Sequence, residues 1–375
     1  MAEEPKVVEL LEQLTLSHPL TLSTTISMAF LWFLSAMPVL SPAFLAPDDN
    51  NTNNISDFTS VQIEFNLDSS GKSLHPAELT SSTFFLGNLL LGQIPCILAD
   101  KYGRRPIIVS SVFTTGLAGV LASVSPTFYV LLFFRFIQGI SFSILLMTNW
   151  VLCCESLAPS WHKVAAVMFG SFWVAGYIGM APIAKWSTSW RQIQFFGSCP
   201  SLLFSIYLLC KLPESPAFLA TKGRAVELKR FLSRANQNIV EPIKCNVEET
   251  ISQLSGKGKE NLKDTVRDIF TSRETLIHLG AQIVIWICDF LMYGAMSLTA
   301  TGVGKDPFVS FMFSGLVELP CYIVIPYLLD WTKRIQEAVS RPSSPCVYFA
   351  VPVQLFYPKP HPDTERKTAR QHLLY

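Results

Sequence analysis

The chain is short of charge. Only 15% of its 375 residues are Asp, Glu, Lys or Arg, against roughly 25% in soluble domains, while half are apolar. That deficit excludes a soluble protein of this length, whose surface needs polar groups that are missing here. With a net charge of +1 there is no basic excess for nucleic acid. The N-terminus, Met1-Ala2-Glu3-Glu4, is acidic. No small-residue cleavage site follows a short apolar stretch, so no removable signal peptide is expected. Ser/His/Asp clusters, metal-ligand spacings and phosphate-binding loops are all missing, which argues against an enzyme and against a cofactor. His162 and His278 stand alone near span ends, as interface residues. The nine cysteines form no C-x-x-C pair; Cys153 and Cys154 are adjacent. Most read as small buried apolar side chains.

What the chain has in quantity is long apolar segments. A membrane-spanning helix needs about 20 mostly apolar residues, and eight segments qualify, near 22–45, 81–99, 106–124, 127–150, 164–184, 193–211, 275–298 and 307–329. The fifth and seventh are the least clean, with Lys185 and Asp289 at or in them. The composition and these runs predict an all-α membrane protein. Basic residues concentrate at 100–105 and in 212–274, whereas 46–80 carries one, Lys72, among six acids. Excess basic charge marks the cytosolic side. Residues 1–21, the linker 212–274 and a tail over 335–375 are therefore expected in the cytosol, with loop 46–80 outside. Asn50 and Asn54 open N-x-Ser/Thr glycosylation sequons in that outer loop. Within the linker, Ala225 to Ala235 reads as a short amphipathic helix on the membrane face, with Leu228, Phe231 and Leu232 turned inward. The tail is apolar over Cys346 to Tyr357, too short to span, and then proline-rich; it is expected to be largely unstructured.

Two charged turns follow apolar runs at matching places. The first is Asp100-Lys101-Tyr102-Gly103-Arg104-Arg105. The second, Asp330-Trp331-Thr332-Lys333-Arg334, is a worn copy 230 residues on. Alone, each turn reads as a headgroup anchor; the repeat points to an internally duplicated membrane protein, as in many secondary transporters. Further pieces stand in order: Arg135-Phe136-Ile137-Gln138-Gly139 inside the fourth span, Glu155-Ser156 at its end, Trp190-Arg191 before the sixth, and Leu212-Pro213-Glu214-Ser215-Pro216 after it. Tyr293-Gly294 lies in the seventh span and Ser314-Gly315-Leu316-Val317-Glu318-Leu319-Pro320 in the eighth. This ordered set resembles the major facilitator superfamily, closest to its branch of organic cation, organic anion and carnitine transporters, over roughly residues 20–334.

The resemblance implies two six-helix bundles rocking about a midplane substrate site. It implies an N-terminal bundle over 22–211 and, over 275–334, a second bundle represented by two helices and so incomplete. It also implies a cytosolic charge network of Asp100, Gly103, Arg104, Arg105, Arg135, Glu155, Glu214, Asp330 and Arg334, in which Asp100 pairs with Arg104 and with a helix of the other bundle. Some positions depart from the pattern: Cys96 replaces a usual glycine, Ala217-Phe218 stands where relatives often have Arg-Trp, and loop 46–80 has no cysteine. Relatives have twelve spans. The expected activity is transport of a small organic ion, in the plasma membrane. The alternative is a truncated, non-transporting chain that is inert or pairs with another transporter chain. Asp289 and Glu318 are acids within spans and favour a cation or zwitterion over an anion. Tyr293, Trp173, Phe172, Tyr177 and Trp150 could offer aromatic faces to it.

Overall fold

The computed structural model describes residues 16, 18–45, 58–67, 76–237, 273–302, 304 and 306–339. Asn50, Asn54, most of the linker and the tail beyond Val339 lie outside these residues. The described chain folds into fourteen α-helical pieces. In chain order they are α1 Pro19–Leu40, α2 Pro42–Leu45, α3 Val61–Glu64, α4 Pro76–Leu91, α5 Gln93–Tyr102, α6 Arg104–Ser123 and α7 Phe128–Ser143. They continue with α8 Asn149–Ser156, α9 His162–Trp186, α10 Trp190–Lys211, α11 Pro216–Thr221, α12 Ala225–Ala235, α13 Arg273–Thr299 and α14 Pro307–Val339. Seven helices or continuous runs are long and apolar enough to cross a membrane, and eight if the bent pair α4–α5 counts as one span. The described residues therefore form the expected all-α bundle of membrane-length helices, two of them, α13 and α14, following the linker.

Local chemistry sets the helix ends. His18 caps α1, its Nδ1 accepting from the Leu20 amide at 3.2 Å, and Pro19 takes the first helical position, where no amide donor is needed. Thr127 caps α7 and Ser215 caps α11 through their hydroxyls. Inside the spans, buried hydroxyls donate back to the preceding turn, as Ser35 does to the Leu31 carbonyl at 2.7 Å. A polar side chain in an apolar span is thus satisfied without a partner helix. The second span is broken at Gly92 and bends by 44°. The fourth runs from α7 through a π-helical turn, Ile144–Thr148, into α8. Several runs outreach the apolar cores read from sequence. The last extends furthest, because α14 continues to Val339, past the expected tail boundary at 335.

The described residues between 18 and 211 form one packed bundle. α1 lies against α9, α4 against α7, and α6 against α10. Two clusters fill it. One is built around Trp173, Tyr177, Trp190, Phe128 and Phe142, the other around Leu31, Phe169, Leu152 and Leu208. α14 packs on α9, whereas no residue in the apolar window of α13 is fully buried. The amphipathic helix α12 buries Leu228, Phe231, Leu232 and Ala235. Its apolar face is spent on Phe218, Leu219 and Ala220 of α11 and on Leu20 of α1. His18 Nε2 reaches the Ala235 carbonyl at 3.1 Å and ties the end of α12 to the start of α1.

One proline organises the interior. The carbonyl of Pro38 would normally accept from the amide of residue 42, but Pro42 has none. Arg135, fully buried on α7, supplies the donor instead: its Nη1 lies 2.7 Å from that carbonyl. The same nitrogen is 3.3 Å from Gln138 Oε1, and Gln138 in turn reaches Thr115 and Gln194. The guanidinium lies over the Phe84 ring at 5.1 Å. The expectation that Arg135 joins the charged-turn network is therefore corrected. It belongs to a separate polar layer around the Pro38 carbonyl, which also accepts from the Ser41 hydroxyl at 3.2 Å.

Candidate functional site

Two constellations carry chemistry, one on the face of the bundle that holds the charged turn and one at its middle. The turn is closed by Gly103, whose φ of 123° lies in a region open essentially to glycine. A Cβ there would come within 2.3 Å of Glu214 Oε2. Immediately after Gly103 the first amides of α6 point out unpaired, as at any helix start. The Glu214 carboxylate takes them. Oε1 accepts from the Arg104 amide at 3.0 Å, the Arg105 amide at 3.2 Å and the Ser215 amide at 3.1 Å. Burial pushes the Glu214 carboxyl above the usual carboxylate range, while those amides and the Arg104 charge pull against it.

The Arg104 side chain then links the remaining acids. Its Nη2 is 3.1 Å from Asp100 Oδ1 and 3.0 Å from Glu155 Oε1. The guanidinium stacks over Phe218 at 4.5 Å. Arg105 turns away and donates to the Leu209 carbonyl at 2.7 Å. Thus Asp100, Gly103, Arg104, Arg105, Glu155 and Glu214 meet in one cluster joining α5, α6, α8 and the start of α11. Within it the Asp100 side chain stays 76% exposed. Asp330 and Arg334 lie on α14; their side chains fall outside the described residues.

The second constellation lies between α9, α13 and α14. Trp173 Nε1 donates to the Tyr293 hydroxyl at 3.0 Å, which leaves the Tyr293 proton free for the Glu318 carboxylate beside it. Tyr177 and Tyr322 also border Glu318. Trp32 of α1 packs edge-on against Trp173, with ring centroids 6.2 Å apart. Trp173, Tyr293 and Glu318 are therefore brought together, as their common place in mid-span suggests. Asp289 is not brought in. It is exposed on α13, and among the described residues it has no ion-pair partner. The reading from sequence also missed Tyr322, which borders Glu318 from the next turn of α14.

A third group escaped the sequence altogether. Residues 58–67 dock on the end of the bundle opposite the charged turn. The Thr59 amide donates to the Thr188 carbonyl at 3.0 Å, and the Trp190 amide to the Thr59 carbonyl at 3.1 Å. Glu64 accepts from Trp190 Nε1 at 2.6 Å and Arg191 Nε at 2.9 Å. Arg191 also reaches the carbonyls of Ser123 and Ser125, each at 2.8 Å. The Arg191 hydrogen bonds hold the Glu64 carboxyl below the usual carboxylate range, against the opposing effect of burial.

Comparison with known proteins places this geometry. The family model described as sugar (and other) transporter matches residues 50–315. A putative transporter of Caenorhabditis elegans is 25% identical over 300 residues, covering 80% of this chain and 60% of that protein. Solute carrier family 22 member 2 of Homo sapiens is 24% identical over 251 residues, covering 67% and 44%. Organic cation transporter 1 of Caenorhabditis elegans is 28% identical over 274 residues, covering 68% and 45%. The chain spans about half the length of the curated relatives it matches. Among solved structures, the xylose transporter XylE of E. coli in a partially occluded inward-open conformation superposes with a TM-score of 0.56 at 16% identity, covering 83% of this chain and 72% of that one. A bacterial homolog of the human lysosomal transporter Spinster gives 0.52 at 14% identity, covering 88% and 65%.

Proposed function

Because this chain belongs to the sugar (and other) transporter family, within the major facilitator superfamily, we propose that it serves transport of a small organic cation or zwitterion across the membrane by alternating access. The observation that carries the substrate class is the Glu318 carboxylate bordered by Tyr177, Tyr293 and Tyr322, with Trp173 bonded to Tyr293. A carboxylate inside a membrane protein is stabilised by a counter-charge, and aromatic faces attract the same cations. A relative named for organic cations supports the reading. The charged-turn cluster is the device that holds the cytosolic side: ion pairs around Arg104 are remade in each cycle, while Glu214 fixes the turn itself. Both termini face the cytosol, loop 46–80 faces outward with Asn50 or Asn54 glycosylated, and the membrane is the plasma membrane.

The test is Glu318→Gln in the carrier expressed in cell membranes. Saturable uptake of tetraethylammonium is expected to fall at least tenfold, about 1.4 kcal/mol of lost interaction. Surface abundance should match the parent. Unchanged cation uptake, or uptake confined to organic anions, sinks the proposal.

A further inference from the structure

One residue spacing occurs twice in the chain. Gly170, Trp173 and Tyr177 on α9 repeat as Gly315, Glu318 and Tyr322 on α14, at the same intervals of three and four. The two helices meet in opposite directions, so the sets interlock. Each tyrosine ring rests on the other helix's glycine. A Cβ on Gly170 would stand 2.2 Å from Tyr322 Cδ1, and one on Gly315 would stand 2.5 Å from Tyr177 Cδ1. No other residue type leaves room for these rings. Seven residues of helix separate the two contacts, about 10 Å. Midway between them, on the same helices, stand Trp173 and Glu318.

The contacts are not alike. The Tyr177 ring also packs on Phe311, with centroids 4.4 Å apart, and Phe311 is fully buried against Phe44. This contact lies toward the end of the bundle that residues 58–67 cover. Gly170 and Tyr322 lie toward the charged turn. A ring on bare backbone is held by dispersion. It separates without stranding a hydrogen-bond partner, unlike an ion pair in the same place.

We propose that these two glycine–tyrosine contacts are the gates of the Glu318 site, Tyr322 on Gly170 closing it toward the charged turn and Tyr177 on Gly315 closing it toward the opposite face. A cation reaches or leaves Glu318 when one ring slides off its glycine while the other stays seated. In the structure both rings are seated on their glycines. This rests on the transport reading above, with the charged turn on the cytosolic side.

The experiment uses Glu318→Cys as a reporter, in the membrane-embedded carrier with its native cysteines changed to serine. A membrane-impermeant maleimide is applied to right-side-out and to inside-out vesicles. Tyr322→Ala is expected to raise labelling from the cytosolic face about threefold or more, and Tyr177→Ala to raise it from the outer face by a similar factor. Gly170→Ala and Gly315→Ala, which push each ring off rather than delete it, should reproduce the same two directions. They decide the matter if either tyrosine variant fails to reach the membrane. Shifts in the same direction at both gates, or no shift in well-expressed variants, overturn the proposal. Labelling requires no transported substrate. Loss of the organic-cation reading would therefore appear as absent uptake with the two-sided labelling intact.

Discussion

Glu64 shows how much a single side chain can organise. It accepts from Trp190 and Arg191, which lie 126 and 127 residues away in sequence, and so holds the segment 58–67 on the bundle. Its folded carboxyl sits below the ordinary value, chiefly through the Arg191 bonds. A depressed carboxyl contributes stability above the unfolded value, about pH 4.3, and loses it as pH falls through the folded one. The clasp is therefore expected to stay closed at neutral and mildly acidic pH and to open only on acidification past the ordinary carboxylate range. Hydrogen exchange at the Thr59 amide as pH is lowered checks this; in Glu64→Gln the pH step should vanish. Nothing local in the sequence announced the clasp. Glu64 read as one of six acids in an outer loop, and Trp190-Arg191 as a fragment of a motif. A long-range ion pair leaves no periodicity to detect. Glu214 was more legible, because it sits inside a recognisable run. Its job as acceptor for the amides of α6 follows from geometry that the run does not state.

At the scale of elements, apolar length was the reliable signal. Every segment read as a span is helical in the structure, because a bilayer leaves the backbone no other way to satisfy its donors and acceptors along one segment. Element ends and breaks were less visible. The bend at Gly92 and the π-helical turn at Ile144–Thr148 depend on packing that composition does not encode. The amphipathic helix was legible in its residues, but its partner was not named by them. Leu228, Phe231 and Leu232 are turned inward as the pattern predicts, into a small cluster with α11. Phe231→Ala should thus detach α12 from the bundle, at a cost of about 3 kcal/mol. Limited proteolysis measures it: cleavage within 225–235 should speed up sharply in the variant, with the spans still protected. Parent-like cleavage would place the helix against lipid after all.

For the whole molecule, the duplication mattered more than any single motif. The paired charged turns mark two related halves by their order along the chain; the shared spacing of Gly170–Tyr177 and Gly315–Tyr322 falls at a different offset, in the fifth and eighth spans, and is a match between two helices that pack on each other. That second repeat is harder to see because Trp173 and Glu318 differ chemically while their neighbours match. Asp289 was singled out on another ground, that an acid in a span signals function, and it stands exposed on α13. Under the proposed transport function, cycling between states belongs to the assembled carrier, and Asp100 is the place to test it. Exposed and bonded to Arg104, it can be neutralised without unfolding the turn, which Gly103 and Glu214 keep. Asp100→Asn is expected to retain tetraethylammonium binding within about twofold while uptake falls tenfold or more. Binding and uptake measured on the same membranes separate the two. Equal losses in both, or none in either, would reduce Asp100 to an anchor.

Arg135 and Pro42 have a shared fate that their distance in sequence conceals. One lacks the donor that the other provides, so neither can be replaced at its own isolated cost. Arg135→Met leaves the Pro38 carbonyl with only the Ser41 hydroxyl, 3.2 Å away, as donor, and loses the stronger, charge-assisted bond, at about 1–3 kcal/mol. Pro42→Ala returns a backbone donor to that carbonyl and leaves the guanidinium with a competitor for its acceptor. The double substitution is expected to cost less than the sum, by about 1 kcal/mol in a double-mutant cycle. In lineages descended from this gene, a change at either position makes a change at the other more acceptable. The two should be inherited as a linked pair, and loss of the proline should be what first sets the arginine free to vary.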